Sequence, residues 1–190
     1  MIDQNWVVLS AALGLIGGLR YAVATMRGRA SPNRVTWVLW AAAPLIAFSA
    51  QLDAGVGLPA VLTLAAGVGP LIVLTASFAG RHGSATITPF DLACGAVSVI
   101  ALLVWIGLGS ASWAVVVAVA ADAAAATPTV RKAWREPHTE NALFYVLVGL
   151  GATVTLLTIT DPAPASWLFA AYMLALSLTL TAVIAGRSAP

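Results

Sequence analysis

Seven mainly apolar stretches run along the 190-residue chain, at positions 6–26, 35–50, 56–78, 89–108, 113–133, 141–160 and 164–184. A bilayer span needs about 20 such residues, so the pattern predicts seven transmembrane helices, the second the shortest. Short connectors rich in polar residues, Gly and Pro divide them. Ser31-Pro32 and Thr88-Pro89 each place a capping residue before a first-turn proline, which predicts a helix start.

Charge follows the same alternation. Arg27, Arg29, Arg34, Arg81, Arg131, Lys132, Arg135 and Arg187 fall on one side of the predicted bilayer, with Arg20 near that side. Asp3, Asp53 and Asp161 fall on the other, which has no Lys or Arg. Basic residues mark the cytoplasmic face. The expected topology therefore has the N-terminus outside, the connectors 51–56 and 160–164 facing outward, and 131–140 and the C-terminus in the cytoplasm.

Composition agrees with an integral membrane protein. The chain is 61% hydrophobic and 8% charged, with a mean hydropathy of +0.96, whereas a soluble domain carries about a quarter charged residues. No basic run points to nucleic acid. The single cysteine, Cys94, excludes an intramolecular disulfide and a cysteine zinc site. The start, Met-Ile-Asp-Gln-Asn, is acidic where a signal peptide is basic, so the first span is expected to be an uncleaved anchor. Eight Arg to one Lys, with abundant Ala and Gly, suggests a bacterial genome. The expected location is the bacterial inner (plasma) membrane, with the lipid bilayer as partner and a homo-oligomer compatible.

Two segments match at an offset of 105 residues. Arg27 aligns with Lys132, Pro32 with Pro137, Trp40 with Tyr145, Pro59 with Pro164 and Leu71 with Leu176. Spans one to three thus match spans five to seven. Three spans reverse the orientation of a direct repeat and one extra span restores it, so the two halves would be parallel. Duplicated bundles usually build transporters. The expected fold is all-α, with two parallel triple-helix bundles (1–82 and 111–190) joined by a linker helix (83–110).

This 3-1-3 arrangement resembles the SWEET and PQ-loop transporter superfamily, and its topology is also similar to vitamin transporters of the nicotinamide riboside type. Pro128-Thr129 stands where that superfamily's Pro-Gln pair falls in the fifth helix, with Val23-Ala24 at the matching first-helix place. Pro44 and Pro128 occupy the second- and fifth-helix places of the sugar transporters' four prolines, and Val23 and Gly149 the other two. The paired asparagines of helices three and seven in the sugar transporters are absent. The resemblance implies a small carrier with a central site between its halves.

Asp122 is the leading site candidate. It lies nine residues from Trp113 and nine from Arg131, about 13 Å from either end at ~1.5 Å per residue. An ionised carboxylate at mid-membrane costs at least about 2.5–3.5 kcal/mol unless paired or hydrated. Asp122 is therefore expected to face a polar interior, where exchanging a proton would couple transport to protons. The bland reading is a hydrogen-bonded structural Asp. Arg20 is the candidate partner, against the alternative that it snorkels to the headgroups. Trp40 and Tyr145 could stack on a solute from opposite halves, against interfacial anchoring, which is the reading for Trp37. Tyr172 could line the pathway, although core packing is the simpler reading. Pro44 and Pro128 could act as hinges or expose carbonyls, against static kinks; Pro70 reads the same way. Trp6, Trp105, Trp113, Trp134 and Trp167 read as belt residues near span ends. Gly14-Leu-Ile-Gly17-Gly18 permits close helix approach within the first half.

Glu136-Pro-His138-Thr-Glu140 has too few ligands for a metal and reads as a solvated connector. No catalytic arrangement, cofactor or metal site is evident, and the last span has no lysine for a retinal Schiff base. The sequence reading is a small secondary transporter. It would move a small polar solute by alternating access, with proton coupling through Asp122 a variant of that scheme. The alternative is a non-transporting receptor or accessory subunit on the same fold.

Overall fold

A computed structural model describes residues 3–53, 60–79, 85–107, 111–159 and 164–188. Among these the chain is all-helical. It has seven α-helices: α1 (Val7–Met26), α2 (Arg34–Asp53), α3 (Ala60–Ala79), α4 (Pro89–Gly107), α5 (Ala111–Arg135), α6 (Ala142–Thr158) and α7 (Pro164–Ser188). Single 3-10 turns at Gln4–Trp6 and Pro137–Thr139 precede α1 and α6. Most of the connectors 51–56 and 160–164, and the segment holding Arg81, lie outside the described residues.

The helix ends follow local chemistry. Beyond α1, Gly28 takes φ 69°; its N–H donates to the Thr25 carbonyl and that of Arg29 to Ala24. This is a Schellman close, which favours glycine at the left-handed position. The α2 cap is Asn33, whose Oδ1 accepts from Val35 and Thr36. The helix start is therefore later than Ser31-Pro32 suggested. At 20 residues α2 is as long as α1 and α3, not the short span expected. The Thr88-Pro89 start holds. Thr88 and Asp91 exchange backbone-to-side-chain hydrogen bonds of 2.7 and 3.3 Å, a capping box. Asn141 caps α6 through Phe144 N–H.

Val7–Met26, Val61–Ala79 and Trp167–Arg187 are long and apolar enough to cross a membrane, and Pro89–Ile100 and Ala142–Thr158 are shorter apolar helical stretches. Large apolar side chains cover the exterior. On α1 these are Leu9, Ile16, Leu19, Val23 and Met26; on α4 they are Leu92, Val97, Ile100, Leu103 and Val104. A surface of this kind suits lipid rather than water, as in a membrane-embedded protein.

The packing neighbours repeat. Helix α3 packs between α1 and α2, and α7 between α5 and α6. Across the middle, α1 packs on α6 and α2 on α5. Helix α4 lies outside, against α5 and α2. The α1–α3 approach depends on Gly18, where a Cβ would stand 3.0 Å from the Gly69 Cα. The GxxxG spacing thus serves contact within the first half, while Gly17 faces Phe144 of α6. The helices that follow the aligned prolines start at different distances from them. Pro32 lies two residues before α2, but the 3-10 turn at Pro137 delays α6 to Ala142. Trp40 therefore sits deeper in its helix than Tyr145 does.

An aromatic cluster packs near the Arg-rich end of the helices. Trp37 is fully buried, with its ring centroid 4.7 Å from Tyr21, 5.1 Å from Phe144 and 5.4 Å from Trp40. Its expected anchoring role at an interface is corrected. Trp37 is a core residue tying α2 to α1 and α6. Trp6 and Trp134 are half exposed, as belt residues would be.

Candidate functional site

Between the two sets of helices lies a cavity of about 290 Å³. Its walls come from α1 (Ser10, Gly14), α2 (Trp40, Pro44), α3 (Ala65, Pro70), α5 (Asp122), α6 (Tyr145, Thr155) and α7 (Met173, Ser177), among others. Six helices contribute, and among the described residues α4 contributes none. Few lining groups are polar, and Asp122 is the one charged residue among the described walls.

Asp122 sits near the middle of the 25-residue α5. The Tyr172 hydroxyl donates to its Oδ2 at 2.7 Å. The Trp40 indole also lies against the carboxylate, but its Nε1 is buried and completes no hydrogen bond. Tyr172 thus joins α7 to α5 while its ring lines a shallow groove between those helices with Arg131 and Trp134. Its role is a specific hydrogen bond rather than plain packing.

The structure does not bring Arg20 to Asp122. Arg20 is exposed on the α1 face that carries Ile16, Leu19 and Val23, and lies outside the cavity. One helical stripe holds all four residues, which leaves Arg20 on the outer surface near the basic end, placed to snorkel. Trp40 and Tyr145 do face the cavity from opposite sets of helices. Pro44 and Pro70 line it too, and Pro128 does not. A proline deprives the carbonyl four residues earlier of its helical donor. For Pro44 and Pro70 these are the carbonyls of Trp40 and Ala66, both cavity residues. Next to Pro128, the Thr36 hydroxyl of α2 donates to the Ala125 carbonyl at 2.7 Å and accepts from Thr129.

Sequence reasoning missed a second polar group beneath the cavity. Glu140 is buried, not a solvated connector. Its Oε1 lies 2.6 Å from Lys132 Nζ, and its Oε2 accepts from the hydroxyls of Tyr21 and Tyr145 at 2.7 and 2.8 Å. Lys132 also donates to the Ser31 carbonyl, and Ser31 N–H donates to the Thr139 carbonyl. The network ties α1 and the loop after it to α5, α6 and their connector. The one signal available was the lone lysine of the chain lying eight residues before a glutamate. Higher up, the Ser10 hydroxyl donates to the Gly151 carbonyl and accepts from Thr155, which joins α1 directly to α6.

Among the described residues no group of three or more His, Cys, Asp or Glu could hold a metal. Cys94 is half-buried on α4, away from the cavity. Compared with family models, curated proteins and solved structures, the chain has no match.

Proposed function

We propose that the protein is a seven-span carrier of the SWEET and PQ-loop type, in which two parallel triple-helix bundles rock about the central cavity to pass a small solute. The observation that carries this reading is the cavity itself, whose described walls come from α1, α2, α3, α5, α6 and α7 and not from α4. The paired contacts α1–α6 and α2–α5 support a two-fold relation along the membrane normal, as parallel repeats require. With the positive-inside topology, the cavity lies in the middle and outer half of the bilayer. The aromatic cluster and the Glu140–Lys132 network then form its cytoplasmic gate. Opening toward the cytoplasm parts Tyr21 from Glu140 and Thr36 from Ala125. Pro44, Pro70 and Pro128 mark where the helices can bend. No step of this scheme is catalytic.

A thermal-shift screen of the purified protein against amines, sugars, amino acids, vitamins and nucleosides tests the reading. A true solute at a roughly hundredfold excess over its Kd stabilises the fold by about 2.7 kcal/mol, a clear rise in Tm. Ala152→Trp, which fills the cavity from α6, is expected to remove that rise. A solute that stabilises both proteins equally binds elsewhere and counts against the cavity.

A further inference from the structure

We infer that the cavity takes a small organic cation, a primary amine on an apolar body, with Asp122 receiving the ammonium group. The inference rests on reading the cavity as a solute site and names the class of solute. Asp122 faces a ligand-sized space and has no cationic partner, since no Lys, Arg or His lines the cavity among its described walls. A carboxylate held at mid-membrane is costly until a counter-charge arrives. A bound ammonium supplies that charge.

The other groups fit the same ligand. An ammonium carries three donors and no acceptor. Trp40 and Ala66 belong to the same walls as Asp122, and Pro44 and Pro70 deprive their carbonyls of helical donors. The Tyr172 hydroxyl donates to Oδ2 of the carboxylate, which holds that acceptor in place at the cavity wall. The rings of Trp40, Phe144, Tyr145 and Phe169 border the space. Aromatic faces attract cations and bury apolar bodies. The volume of about 290 Å³ is at the low end of the ~300–1,000 Å³ typical of ligand pockets. Two solute classes fit less well. A free amino acid would leave its carboxylate without a basic partner, and a sugar would leave most of its hydroxyls against apolar walls.

Titration calorimetry of the full-length protein in neutral nanodiscs at pH 7, with empty nanodiscs as blank, tests this. Three probes share a phenyl body: phenethylamine, 2-phenylethanol and 3-phenylpropionate. The expected order is amine first, by at least about tenfold over the alcohol, with no measurable binding of the acid. Asp122→Asn should bring amine and alcohol to equal affinity, and Ala152→Trp should abolish both. Equal binding of amine and alcohol to the unmodified protein overturns the cation assignment while leaving the cavity as a solute site. Failure of all three probes to bind overturns the assignment and removes support from the site itself. The ranking on the unmodified protein decides the matter even where Asp122→Asn does not fold.

Discussion

Glu140→Gln is expected to destabilise the protein by about 3–5 kcal/mol, the cost of leaving one member of a buried ion pair without its partner. The Glu140 side chain is fully buried and that of Lys132 is 9% exposed. Gln keeps one oxygen to accept from Tyr21 and Tyr145, and its NH2, a donor, takes the place of the oxygen that faced Lys132. The ammonium of Lys132 would then face a neutral amide and the Ser31 carbonyl. Lys132→Met combined with Glu140→Gln should restore most of the loss, because replacing both members of a buried pair with neutral groups is often close to neutral. Thermal unfolding of the two single variants and the double variant completes the cycle. Independent, additive effects would show that the pair does not hold the two sets of helices together.

Trp37→Ala should be comparably damaging, at about 3–5 kcal/mol for truncating a buried aromatic side chain. Trp37 is fully buried and its ring touches Tyr21 of α1, Trp40 of α2 and Phe144 of α6. Trp37→Phe should cost much less. The Trp37 Nε1 is buried without a hydrogen-bond partner, so Phe gives up area but no hydrogen bond. Melting temperatures in one detergent measure both. A Trp37→Ala protein as stable as the unmodified one would return Trp37 to an interfacial role.

The residues that were legible in the sequence are those whose signal is local. Asp122 stands out because an acid inside an apolar run needs a reason to be there. Thr88-Pro89 shows its capping chemistry within four residues. The α1 face also carries a local signal, one that the expected pairing of Arg20 with Asp122 overlooks. Ser10, Ala11, Gly17, Gly18 and Ala22 are buried, while Leu9, Ile16, Leu19 and Val23 are exposed. Small residues face helices and large apolar ones face lipid, and that stripe alone places Arg20 outside. The partners of Glu140 could not be read in the same way. Tyr21 is 119 residues away, and a connector rich in charge looks solvated until the fold brings α1 over it. Trp37 and Trp40 lie on one face of α2 near its start. Separating a core residue from a belt residue there requires knowing what α2 packs against. Tyr172 met Asp122 across 50 residues, a pairing that helical periodicity does not encode.

Alternating access to the central cavity is the claim on which the account stands, and it can be tested without knowing the solute. Ala170, on the cavity wall contributed by α7, is replaced by Cys on a Cys94→Ala background. A membrane-impermeant thiol reagent is then applied separately to right-side-out and inside-out vesicles. The account predicts labelling of position 170 from both faces, because the cavity opens to each in turn. Labelling from one face alone would contradict it, and would describe a fixed receptor vestibule rather than a carrier.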